Sequence, residues 1–173
     1  MDVVVRHAGG MAFVGYGPSG HFTVMDGHEP GSDEPQRAPG PMEMLLIALG
    51  GCTGMDVVSI LHKKRVPFTG VELRIHGERA PEHPRRYTSI EIEYVVRGSA
   101  LPRKPVEDAA RLSFEKYCSV AATLKAGTRL TYRVTLEEPA VHGAAPGGAT
   151  TGVERAAPAA SLPPAEGGAG PQG

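Results

Sequence analysis

The sequence predicts an α+β domain: a mainly antiparallel sheet covered on one side by a long central helix and by a second, cysteine-bearing helix. Two segments, Val71 to Glu78 and Thr88 to Arg97, alternate apolar and polar residues as strands with one wet face do. A long stretch opening at Pro41 carries helical spacing to about Lys64, and the same spacing returns between Pro105 and Lys125. Strands gathered apart from helices, with no strict strand–helix alternation, are the mark of the α+β class.

The elements follow in order. Val3 to Arg6, Ala12 to Tyr16 and His21 to Met25 are short strand segments punctuated by Gly9-Gly10 and Gly17-Pro18-Ser19-Gly20, which suggests an antiparallel meander. Asp26 to Gly40, rich in glycine and proline, is expected to be a mobile loop. Pro41 suits the first turn of a helix, Lys63-Lys64-Arg65 complement its carboxy-terminal dipole, and Pro67 ends it. After the two alternating strands, Val106, Ala109, Ala110, Leu112, Phe114, Tyr117 and Cys118 trace the apolar face of a second helix or helix pair, with Gly127 at its stop. Thr128 to Leu136 closes the domain as a strand. From 138 to 173 the chain is rich in Ala, Gly and Pro and buries too little apolar surface to offset its ordering entropy. The expected organisation is one domain over 1–137 and a disordered tail over 138–173.

Composition narrows the function. The chain has 173 residues, enough to bury a core without a metal or disulfide staple. Its 18 basic and 19 acidic residues nearly cancel and no basic block stands apart, so nothing draws nucleic acid or an anionic membrane. The start lacks an apolar run behind a basic segment, and no later run is expected to reach the roughly 18 residues that a spanning helix needs. A soluble, cytoplasmic protein is expected. The seven histidines show no ligand spacing, so neither a metal nor an organic cofactor is expected.

Two cysteines remain, Cys52 and Cys118, one in each helical stretch. In a reducing compartment such a pair is either chemical or inert core filling. The stretches themselves, Pro41-Met42-Glu43-Met44-Leu45-Leu46 with Gly50-Gly51-Cys52 and Glu115-Lys116-Tyr117-Cys118-Ser119-Val120, resemble the osmotically inducible protein C and organic hydroperoxide resistance (OsmC/Ohr) family, over roughly residues 1–138. The Gly-Gly-Cys-Thr and Asp56-Val57-Val58 signature is similar to its OsmC-like branch. The resemblance implies an intertwined homodimer with a site at the subunit interface, where Cys52 stands at the peroxidatic position and Cys118 at the resolving one. It implies a thiol-dependent peroxidase active on small organic hydroperoxides, regenerated by a dithiol reductant in the oxidative stress response. The hydroperoxide resistance members carry a glutamate directly after the proline; here that place holds Met42, with Glu43 one residue later. They also carry an activating arginine, for which Arg37 is the preferred candidate, ahead of Arg6 and the Arg85-Arg86 pair.

The residues set conditions on this chemistry. A thiol with a pKa of about 8.5 is mostly protonated at neutral pH, and Cys52 lies too deep in its helix for the amino-terminal dipole to help. Asp56, one turn on, disfavours a thiolate if ionised. Nine residues place Glu43 roughly opposite Cys52 and about 13 Å away along a straight helix. Glu43 therefore acts across a dimer interface or merely complements the helix dipole. Leu45, Leu49, Phe114 and Leu124 either pack the core or line a pocket for an apolar peroxide tail. Gly50, Gly51 and Gly54 are expected to admit a second helix or subunit, since glycine inside a helix otherwise costs about 1 kcal/mol. The alternative function is a non-catalytic OsmC-like dimer that holds a small apolar ligand in its interface pocket.

Overall fold

The structure, a computed structural model, describes residues 1–28, 31, 33 and 35–138. All but the first residue of the expected tail lies outside the described residues. Three short strands, β1 (Val4–His7), β2 (Phe13–Tyr16) and β3 (Phe22–Met25), form the expected antiparallel meander. Helix α1 (Pro41–Lys63) follows, then β4 (Gly70–Arg79) and β5 (Tyr87–Arg97), α2 (Arg103–Leu112), α3 (Ser119–Lys125) and β6 (Arg129–Glu137). The strands make two separate three-stranded sheets, β1-β2-β3 and β4-β5-β6. β4 and β5 are antiparallel, as expected, but β6 runs parallel to β5. Two parallel neighbours cannot share a tight turn, so the chain crosses over through α2 and α3 to re-enter the sheet in the same direction.

The second sheet and the helices share one core. Ile90, Ile92, Tyr94 and Val96 of the central strand are fully covered, and α1 lays Leu49, Val57 and Leu61 against them. Gly50 and Gly54 make this approach possible: a Cβ on either would lie 3.0 Å from a side chain of β4, Ile75 in one case and Leu73 in the other. These two glycines, expected to admit a second helix or subunit, lie against a strand of their own chain. Gly51 points away from the core, with nothing within 4 Å of where its Cβ would be. The opposite face of the sheet is the wet face the alternation predicts. There Arg97 bridges Glu72 at 2.5 Å and Glu137 at 2.8 Å, and Arg133 reaches Glu91 and Glu93. Half-exposed pairs of this kind add little stability individually and keep the face in water.

α1 ends in a Schellman motif. The Arg65 N–H donates to the His62 carbonyl and the Val66 N–H to the Leu61 carbonyl, both at 3.0 Å, with Arg65 in the left-handed region at φ 56°. One sequence expectation is corrected here. α1 is 23 residues long with an 18-residue window of mean hydropathy 1.9, long and apolar enough to cross a membrane by length and composition alone. Its glycines, Thr53 and Ser59 interrupt the apolar run without adding charge, which is why counting apolar residues missed it. Its inner face is the domain core, as a buried helix of a globular fold requires.

The second helical stretch, expected as a helix or helix pair, is a pair. α2 stops at Leu112, a π-helical turn covers Ser113–Tyr117, and Cys118 leaves helical geometry at φ −70°, ψ 103° before α3 begins. The Cys118 N–H donates to the Ser113 carbonyl five residues back at 2.9 Å. Such a turn adds a residue to the helix and re-aims the side chains beyond it.

Two core substitutions test this packing. Leu49→Ala is expected to lower the unfolding free energy by about 2–5 kcal/mol through the cavity it leaves. Gly77→Ala puts a methyl 2.6 Å from the rigid Tyr87 ring and is expected to cost about 1–3 kcal/mol. Urea unfolding followed by circular dichroism measures both.

Candidate functional site

Cys52 sits in the middle of α1 on the side facing the π turn, and Asp56 follows one helical turn later on the same face. Cys118 comes from the other helical segment, at the point where the π turn gives way to α3. The two Sγ atoms and a carboxylate oxygen of Asp56 all lie within 4.8 Å of one another. Both cysteines are free thiols, Cys52 partly exposed and Cys118 only 3% exposed. The approach of two thiols on which a two-cysteine cycle depends is therefore present in one chain.

The two thiols are not equivalent. Burial pushes the Cys118 thiol up from its ordinary value of 9.0 to about 11, and the neighbouring Cys52 and Asp56 push in the same direction. One contact opposes them: Cys118 caps α3, its sulfur accepting the Ala121 N–H at 3.4 Å. Burial outweighs this single weak bond. Cys118 is accordingly a protonated thiol at neutral pH, and Cys52 is the one that solvent reaches. A cavity of about 380 Å³ opens at Asp56, lined also by Ile60, Lys63, Lys64, Leu112 and Tyr117 but by neither cysteine.

Beneath the thiols runs a chain of buried hydroxyls that the sequence reading did not anticipate. The Tyr94 and Thr53 hydroxyls are 2.5 Å apart, those of Thr53 and Ser113 are 2.7 Å apart, and the Ser113 hydroxyl donates to Asp56 Oδ2 at 2.9 Å. An ionised carboxylate only accepts, so the order of donation is Tyr94 to Thr53 to Ser113 to Asp56. Tyr94 is a secure donor, because burial pushes its phenol up to about 12 against the opposing hydrogen bond to Thr53. The signals were present in the sequence: Thr53 and Ser113 are polar residues on apolar helix faces, where a buried hydroxyl must find a partner.

The structure brings Cys52 and Cys118 together and does not bring Arg37 or Glu43 to them within the chain. Arg37 precedes α1 in a loop closed on Asp26, whose carboxylate accepts the Arg37 backbone N–H at 2.9 Å. From there to Cys52 is about 16 Å along the helix, beyond an arginine side chain. Glu43 is exposed in the first turn, near the Tyr87 hydroxyl. Arg6 stacks on Tyr16, and Arg86 donates to the carbonyls of Gly127 and Tyr87. Leu49 is core; Leu45, Phe114 and Leu124 pack partly buried against it, and none of the four lines the cavity at Asp56.

With this geometry in view, residues 31–133 match the family model described as OsmC-like protein. The chain belongs to the OsmC-like family. It is 41% identical to Protein YhfA of Escherichia coli K12 over 132 residues, which is 76% of this chain and 95% of that protein. A solved structure of a hypothetical protein from Aquifex aeolicus VF5 is similar at 32% identity and TM-score 0.70, over 80% of this chain and 96% of the other. The OsmC organic hydroperoxide resistance protein of Legionella pneumophila shares the fold, with TM-score 0.58 at 11% identity over 78% of this chain and 97% of that one.

The unequal burial has readable consequences. Iodoacetamide at pH 8 should label Cys52 well before Cys118. Stability should be full below pH about 9 and fall between pH 9 and about 11: there the unfolded chain gives up the Cys118 proton and the folded chain keeps it. Urea midpoints across that range should show the decline, and Cys118→Ala should flatten it. Ser113→Ala should cost about 1–3 kcal/mol by leaving Thr53 and Asp56 short of a partner.

Proposed function

We propose that this OsmC-like protein is a dimeric, thiol-dependent peroxidase that reduces small organic hydroperoxides in the cytoplasm. The observation that carries the reading is the approach of two free thiols within 4.8 Å, one reachable and one buried and protonated. The Cys52 thiolate attacks the terminal oxygen of the peroxide; the O–O bond breaks, the alkoxide takes a proton and leaves as an alcohol, and Cys52 becomes a sulfenic acid. Cys118 then attacks the Cys52 sulfur, its proton leaving with the hydroxyl as water, and a disulfide remains. A dithiol reductant returns both thiols. The low exposure of Cys118 suits the resolving role, since a buried, protonated thiol does not compete for the peroxide. A free thiol is mostly protonated at neutral pH, so a thiolate nucleophile calls for a cation at the site.

A second copy can bring an arginine to Cys52. Along α1, Ile47, Gly51 and Met55 form an outward stripe at four-residue spacing, with Ile47 half exposed and Met55 70% exposed. The meander leaves Val5, Phe22 and Val24 at least half exposed, more than a three-stranded sheet can sustain in water unaided. An isologous two-fold interface covers both and lets Arg37 and Glu43 of one protomer approach the thiols of the other.

The purified protein should consume cumene hydroperoxide with a dithiol reductant. Cys52→Ser should abolish turnover, whereas Cys118→Ser should complete one turnover and stop as a sulfenic acid visible by mass spectrometry. Sedimentation equilibrium should give about twice the 18.1 kDa chain mass, and Met55→Asp should shift it towards the monomer. A monomeric wild-type protein would remove Arg37 and Glu43 from the site.

A further inference from the structure

We infer that the reduced site is also a zinc site, with Cys52, Cys118 and Asp56 as its ligands. The sequence reading expected no metal because the histidines are scattered; the donors that meet are two sulfurs and a carboxylate. Tetrahedral zinc takes thiolate sulfur at about 2.3 Å and carboxylate oxygen at about 2.0–2.2 Å, which sets its donors about 3.5–3.8 Å apart. Three donors already within 4.8 Å of one another need to close by about 1 Å, within reach of side-chain rotation. They also arise from two elements, Cys52 and Asp56 one turn apart on α1 and Cys118 from the break before α3, so the ion would clamp the helices together.

The carboxylate is already oriented as a ligand must be. Ser113 holds Oδ2, and the hydroxyls of Thr53 and Tyr94 hold Ser113 in turn, while no described residue donates to Oδ1. This is the outer shell that fixes ligating groups in metal sites. Such a chain has no evident use in the thiol–disulfide steps, which involve no carboxylate. Three protein donors leave the fourth position to water, and the partly exposed Cys52 and Asp56 put that position on the solvent side. Zinc is bound by the thiolate forms, so binding releases the two thiol protons and the charge of the ion offsets their loss.

The peroxidase reading and this one use the same thiols in different states. A hydroperoxide that oxidises the zinc-bound pair takes two electrons from the two thiolates and two protons from solvent, giving the disulfide, an alcohol, water and free zinc ion. Metal retention would thus report the redox state. The zinc site does not rest on peroxide reduction: protein that binds zinc but fails to consume cumene hydroperoxide would overturn the earlier reading and leave this one standing.

Full-length protein, reduced with a phosphine and freed of reductant without air, should bind one Zn²⁺ per chain by isothermal titration calorimetry. Co²⁺ in its place should show the visible bands of a tetrahedral, thiolate-bound ion. Cys52→Ser and Cys118→Ser should each lose the bands. Asp56→Asn should weaken binding about tenfold or more, and Ser113→Ala, which leaves all three ligands in place, about tenfold. Diamide-oxidised protein should bind nothing. Circular dichroism checks that each variant is folded. Absence of saturable binding by the folded, reduced wild type would overturn the inference. Unchanged affinity in folded Asp56→Asn would do the same, because it reduces the site to an ordinary dithiol.

Discussion

The Thr53 hydroxyl stands where α1, the central strand and the π turn meet, and the arrangement of the site depends on it. It is fully buried, it touches Tyr94 on β5 and Ser113 at the start of the π turn, and both partners are themselves buried. A hydroxyl inside a core must be paired, and a pair that joins three elements restricts how they sit against one another. Cys52 is the residue before Thr53 and Cys118 ends the turn that Ser113 begins, so fixing these hydroxyls fixes the approach of the thiols. The glycines act with them: without the close approach at Gly50 and Gly54, α1 could not lie low enough on β4 for Thr53 to reach Tyr94.

The same geometry decides the electrostatics. Burial, with Cys52 and Asp56 alongside, holds the Cys118 thiol in its protonated form, and the Ala121 N–H does not offset it. A thiolate here is served by positive charge from outside the pair. An arginine from a partner chain and a bound zinc ion are two ways of providing it, the first for a reacting thiol and the second for a resting pair. Cys52 and Asp56 are both partly exposed, so either can be approached from solvent.

What a single chain leaves uncovered has the same cause. α1 is apolar nearly all round, yet the sheet covers only the side bearing Leu49, Val57 and Leu61. The side bearing Ile47 and Met55 meets water, and the meander offers more apolar surface of the same kind. Exposed apolar area of this extent on a small domain marks a contact surface, and the family resemblance suggests a second copy as its occupant.

The sequence by itself determined which segments are strands and helices, where α1 starts and stops, and that a cysteine lies on the apolar face of each helical stretch. Those features follow from local rules: alternation, helical spacing, proline at a first turn, glycine at a stop. It also carried the family, through the residues around Cys52 and Cys118. Local rules did not reveal the parallel pairing of β6, the π turn that breaks the second helix at Cys118, or the use of Gly50 and Gly54 against β4. Each depends on partners that are distant along the chain: 41 residues separate Thr53 from Tyr94 and 60 separate it from Ser113. For the same reason only the tertiary structure decided that Asp56, read from the sequence as a neighbour of Cys52, also faces Cys118, and that the Arg37 backbone is tied to Asp26. Spacing along a helix reports which residues share a face. What that face meets is settled by packing.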